Sequence, residues 1–221
     1  MMVLTQDLNA SSFFKKEQPL ITVVSGLPRS GTSMMMRMLA AAGMHHLSDN
    51  HRISDESNPN GYFEYSGVDR MAKGDHQWLE NAVGKVVKVV SAKLQYLPEN
   101  YNYKIIFMQR ELHEVVTSQR LMLEREGKPA DFDDSEMAGV FADHLVKVKA
   151  WLANQVNMDV IYLNYYEVLA SAGHNLAHLP PFLGRSLDLD SMTTTIDPDL
   201  YRNRYNAVLS AAPQACDRRP S

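Results

Sequence analysis

The 221 residues include a single cysteine, Cys216, so no intrachain disulfide is possible and a cysteine-based metal site is implausible. Positive charge is not in excess. Lysine and arginine number 22 against 26 aspartates and glutamates, a formal net charge of −4. That balance argues against a general binder of nucleic acid or anionic membrane, although a local basic pocket can still hold an anionic ligand. No apolar run approaches the ~20 residues of a membrane span. Residues 1–18 mix polar side chains with Phe13, Phe14, Lys15 and Lys16 and lack the apolar stretch of a signal peptide, so the cytoplasm is the expected location. Internal repeats, low-complexity tracts and interdomain linkers are also missing.

What is present fits one globular unit. The length suffices for one domain with a full core and is short for two. The expectation is a single domain over residues 1–221, with its core at about 20–207 and flexible tails, disordered from about residue 213. Residues 20–25, Leu-Ile-Thr-Val-Val-Ser, form a β-branched run suited to a buried parallel strand. A glycine-containing loop follows, and then a run of helix formers that ends at Gly43. Residues 45–61 are polar and read as a long loop. A helix is predicted over 65–79, strands over 85–90 and 104–109, helices over 111–126 and 135–154, a strand over 159–163 and a helix from about residue 166. Strands alternating with helices predict an α/β fold of three layers, α/β/α, around a mostly parallel central sheet.

Gly26 and Gly31 bracket a Gly-x-x-x-x-Gly loop between the first strand and the first helix. Such a loop turns backbone N–H groups inward, and the helix adds its free N-terminal donors, so the expected ligand carries phosphate or sulfate. Arg29 brings a guanidinium and Thr32 and Ser33 bring hydroxyls. In nucleoside-triphosphatases the second glycine of this loop is followed by lysine; here the position holds Thr32, which weakens a kinase-like reading.

The stretch Gly26-Leu-Pro-Arg-Ser-Gly-Thr-Ser33 resembles the 5′-phosphosulfate loop of sulfotransferases, in the Pro-Arg-Ser-Gly-Thr form of the tyrosylprotein enzymes and many bacterial members. The resemblance implies that Arg29 and the backbone of Ser30, Gly31, Thr32 and Ser33 hold 3′-phosphoadenosine 5′-phosphosulfate (PAPS), the sulfuryl donor. A second segment is similar too. Arg110 closes the strand over 104–109 and Ser118 follows eight residues later, about 12 Å along a helix; in the family an arginine and a serine so spaced clasp the donor's 3′-phosphate. A third, Tyr165-Tyr166-Glu167, resembles the segment whose tyrosine lies by the adenine, with Tyr166 at that position and Val168 replacing the family's aspartate. The resemblance covers residues 20–185 and implies a P-loop-containing fold.

Sulfuryl transfer needs a base for the acceptor, charge stabilisation and alignment. Arg29 and the loop amides serve the second need. The histidine base of the cytosolic branch is replaced by Val90, two residues after Lys88, which matches that branch's lysine. Other branches use a glutamate after the first helix, and Glu64 is the candidate here, with Asp55 and Glu56 as alternatives on the same loop. Lys88 is placed to donate to the donor's bridging oxygen. No metal is required, and His45 and His46 read as polar loop residues. The family's C-terminal Arg-Lys-Gly segment is missing, with Arg202 and Arg204 as substitutes. The acceptor is a small molecule or peptide that the sequence does not name, and it does not fix the oligomeric state. A P-loop kinase-like protein and a catalytically silent binder of PAPS or its bisphosphate product remain as alternatives.

Overall fold

The computed structural model describes residues 18–49, 55, 58 and 61–197. Five parallel strands form one sheet: β1 (Leu20–Gly26), β2 (His46–Leu47), β3 (Val86–Lys88), β4 (Asn102–Gln109) and β5 (Met158–Asn164). Their order is β2-β3-β1-β4-β5. The chain fills one side of β1 first and then crosses to the other, so the strand order reverses between β1 and β4. In open parallel sheets a ligand crevice lies at that reversal, beyond the carboxyl ends of the strands. Gly26 pairs with Met108 and Gln109 with Asn164, so β1, β4 and β5 end within one residue of one another, while β3 ends opposite Val24, two residues short of β1.

Alternation along β1 and β4 explains the two cores. Ile21, Val23, Tyr103, Ile105 and Phe107 face one side, with Trp78, Leu79, Leu94 and helix α4 (Asp134–Leu152) packed on them. Val24, Ile106 and Met108 face the other. There they meet α1 (Thr32–Ala41), α5 (Tyr165–Ala170), α6 (Ala172–Leu176), α7 (Leu179–Leu183) and α8 (Leu189–Thr194). Helix α3 (Leu112–Arg125) runs back from the end of β4. The predicted three-layer α/β/α architecture is the one observed. Among the described residues no helix is long and apolar enough to cross a membrane.

Two expectations are corrected. The polar stretch after α1 was expected to be loop throughout, yet His46 and Leu47 pair with Val86 and Val87 as a short edge strand. The helix predicted over 65–79 is instead α2 (Gly67–Arg70) followed by two 3₁₀ segments, Met71–Lys73 and Gln77–Ala82. The break falls at Gly74, whose φ of 82° no continuing helix has. It lets Trp78 fold back onto Tyr65, ring centroids 5.2 Å apart. Gly67 lies under both rings: a Cβ there would stand 2.4 Å from Tyr65 Cε1 and 2.8 Å from Trp78 Cγ. Gly67→Ala is therefore expected to destabilise the protein by about 1–3 kcal/mol, through overpacking against the buried Trp78 ring and the half-buried Tyr65 ring. Urea unfolding followed by tryptophan fluorescence measures it, and an unchanged midpoint contradicts the packing assigned here.

Candidate active site

The loop between β1 and α1 is shaped by its own hydrogen bonds. The Ser30 N–H donates to the Leu27 carbonyl at 3.2 Å, and the Ser30 hydroxyl donates to the same oxygen at 2.7 Å. Ser30 is buried and spends both donors on the turn. Gly31 follows with φ 100°, and its Cα faces the Tyr165 ring so closely that a Cβ would lie 2.5 Å from Cδ2. Helix α1 then begins at Thr32 without a side-chain cap and without an acidic residue in its first turn. Its first intrahelical bond, Met35 N–H to the Gly31 carbonyl, is 3.1 Å long. The N–H groups ahead of it face the crevice as helix-start donors, with the positive end of the helix dipole behind them.

Beside this helix start lies a cluster built on Lys88, the last residue of β3. Its ammonium is 6% exposed, donates to the Tyr62 carbonyl, and lies 3.4 Å from both Ser33 Oγ and Glu64 Oε1. Ser33 also donates to the Tyr62 carbonyl, at 3.3 Å. The segment 61–65 reaches this position through two left-handed residues, Gly61 at φ 86° and Phe63 at φ 52°. The Glu64 carboxylate is 41% exposed, so it is open to a partner from solvent while tethered to a buried cation. Asp55 accepts the Tyr62 hydroxyl at 2.8 Å on each oxygen. Glu56 lies outside the described residues, as do Arg202, Arg204 and the tail from residue 198.

A second cluster closes the other side of the loop. Arg110 leaves the end of β4 and its Nε donates to Glu114 Oε2 at 2.9 Å, with both side chains under 9% exposed. Its guanidinium lies 4.7 Å from the centre of the Tyr165 ring, and one amino group donates to the Arg29 carbonyl at 3.2 Å. Arg29 has φ 69°, and its Nε donates to the buried Ser118 hydroxyl at 2.9 Å. The structure thus brings Arg29, Arg110 and Ser118 together, and separately joins Ser33, Glu64 and Lys88. Tyr166 stands 60% exposed at the start of α5, while Tyr165 is buried. Burial pushes the Tyr165 phenol up, against the pull of Arg110.

The sequence reading missed two members of this cluster. Glu114 carried a usable signal, since a carboxylate four residues after Arg110 on a helix lies over it. Tyr165 carried none, because the adjacent tyrosines are told apart only by which one β5 turns inward. Among the described residues no three histidine, cysteine, aspartate or glutamate side chains group as they would around a metal ion.

A sulfotransferase of Mycobacterium tuberculosis H37Rv superposes on the chain with a TM-score of 0.50 and 16% identity, covering 87% of this chain and 76% of that one. The fold is one that sulfotransferases have. Two further solved sulfotransferases are similar at lower scores. A mouse enzyme complexed with PAP has a TM-score of 0.49 at 15% identity, over 91% of this chain and 69% of its own. One from Alicyclobacillus acidocaldarius has 0.45 at 15% identity, over 81% and 87%. No protein-family model and no curated protein matches the chain.

Proposed function

We propose that this protein is a sulfotransferase that binds PAPS along the carboxyl edge of its sheet and passes the sulfuryl group to a hydroxyl or amine of a small-molecule or peptide acceptor. The observation that carries this reading is the pairing of two anion-binding clusters on either side of one loop. Helix-start amides with Lys88 form one, and Arg29, Arg110 and Ser118 form the other. A ligand with two separate anionic groups fits that layout. A nucleoside triphosphate fits it less well: Thr32 stands where its lysine belongs, and β4 ends in Gln109 and Arg110 without a carboxylate for Mg²⁺.

In this reading Glu64 takes the proton from the acceptor as its oxygen or nitrogen bonds to sulfur. The bond from sulfur to the bridging phosphate oxygen breaks at the same centre. The electron pair stays with the leaving 3′,5′-adenosine bisphosphate, whose new charge the Lys88 ammonium and the α1 amides stabilise. Tyr166, exposed at the start of α5, offers its ring to the adenine in this reading.

Calorimetric titration of the full chain tests the donor site. The bisphosphate is expected to bind without added metal, about 30-fold or more tighter than AMP, because charge-assisted bonds to the extra phosphate are worth ~2 kcal/mol. Ser118→Ala is the control, since removing Arg110 would strand the buried Glu114 carboxylate and endanger the fold itself. Tighter binding of ATP with Mg²⁺, or no binding of the bisphosphate, would sink the reading.

A further inference from the structure

The resemblance to the phosphosulfate loop assigns Arg29 to the 5′ end of the donor, yet its side chain leaves the loop in the other direction. The left-handed backbone at Arg29 aims the guanidinium at α3, where Nε meets Ser118 Oγ at 2.9 Å. A non-glycine residue in that conformation costs ~1–2 kcal/mol. The bond from Arg110 to the Arg29 carbonyl helps to hold it there.

Charge gives the reason. Arg110 is already joined to Glu114 at 2.9 Å in a site with little solvent, so the pair carries no net charge. A phosphate dianion brought against that pair alone would meet the Glu114 carboxylate one hydrogen bond away from Arg110. Like charges at that separation in a poorly hydrated site are strongly unfavourable. A second cation is needed, and the guanidinium that already touches Ser118 is that of Arg29. The 5′ end has its own cation in Lys88, beside Ser33 at the start of α1.

We infer that Arg29 determines specificity for a 3′-phosphorylated nucleotide, gripping the 3′-phosphate together with Ser118 and Arg110, while the 5′ group is left to the α1 amides and Lys88. Glu114 then acts as a positioning residue that sets the plane of Arg110. This inference rests on the donor reading above and changes which phosphate Arg29 serves.

The two assignments predict opposite patterns. Titrating wild type and Arg29→Ala with 3′,5′-adenosine bisphosphate and with AMP separates them, because the two ligands differ only in the 3′-phosphate. Affinity for the bisphosphate is expected to fall about 30-fold in the variant, with AMP affinity unchanged within about twofold. Arg29→Lys, which keeps the charge but loses the Nε donor, is expected to show an intermediate ratio and covers the case of a poorly folded alanine variant. Equal losses for both ligands, or no loss for the bisphosphate, overturn the inference while leaving the donor site intact. A wild-type protein that fails to bind the bisphosphate overturns the donor reading and this inference with it.

Discussion

Lys88→Met is expected to lower the rate of the proposed sulfuryl transfer by about 10²–10³-fold, the loss typical of removing one preorganised charge from the leaving-group side of a reaction. The ammonium is 6% exposed and held from three sides by Ser33, the Tyr62 carbonyl and Glu64, so it is fixed before any ligand arrives. Methionine keeps most of the volume and removes the charge. The cost to folding is limited, because the partner carboxylate of Glu64 is 41% exposed and can be hydrated instead. The bisphosphate keeps its 5′-phosphate beside Lys88, so its affinity is expected to fall by up to about 30-fold, less than the rate. Single-turnover release of bisphosphate from PAPS reads the rate without knowledge of the acceptor, since water can take the sulfuryl group. A variant within about fivefold of wild type removes Lys88 from the chemistry.

Gly31→Ala is expected to lower bisphosphate affinity by about 100-fold or more and stability by about 2–5 kcal/mol. Two costs combine. Alanine is strained at a φ of 100°, by ~1–2 kcal/mol. Its Cβ would also meet Tyr165 Cδ2 at 2.5 Å, against a ring pinned by Arg110 on its face, an overpacking of ~1–3 kcal/mol. Relief of either requires the loop to move away from α5, which carries the α1 amides out of line. The companion variant Gly31→Ala/Tyr165→Ala separates the effects. It removes the clash and is expected to recover part of the loop's stability. It does not recover binding, because Arg110 loses the ring it lies on. Bisphosphate binding by Gly31→Ala within about threefold of wild type would mean that the loop tolerates a side chain and does not press on Tyr165.

The parts of this molecule that were legible in the sequence are the ones encoded locally. Residues 20–25 and 104–109 announce buried strands because β-branched and apolar residues run without interruption, and both are inner strands of the sheet. The loop after β1 announces itself through two glycines at a spacing that requires special backbone angles. The failures are tertiary. His46 and Leu47 form a strand only because Val86 and Val87 lie alongside, and two residues carry no period of their own. The 65–79 segment has helical composition, but burial of Trp78 against Tyr65 outweighs propensity and bends the chain at Gly74. At the site, the residue types were readable and their partners were not. That Arg29 reaches α3 instead of folding over its own loop depends on one backbone angle and on a serine 89 residues away.

The register of the sheet also sets when the site comes into being as the chain folds. Leu20 pairs with Asn102, about eighty residues on, and the Tyr165 wall arrives later still. Closing a chain segment of that length is slow, and contacts so distant in sequence are late events in folding. Nascent β1 therefore holds Ile21, Val23 and Val24 uncovered until β4 has been made, and the crevice exists only once the central ladder is complete. A nucleotide has nothing to grip before that moment. It is expected to slow unfolding in proportion to its concentration above Kd while leaving the folding rate unchanged, so the ligand acts as a lock on a finished sheet and not as a template for it.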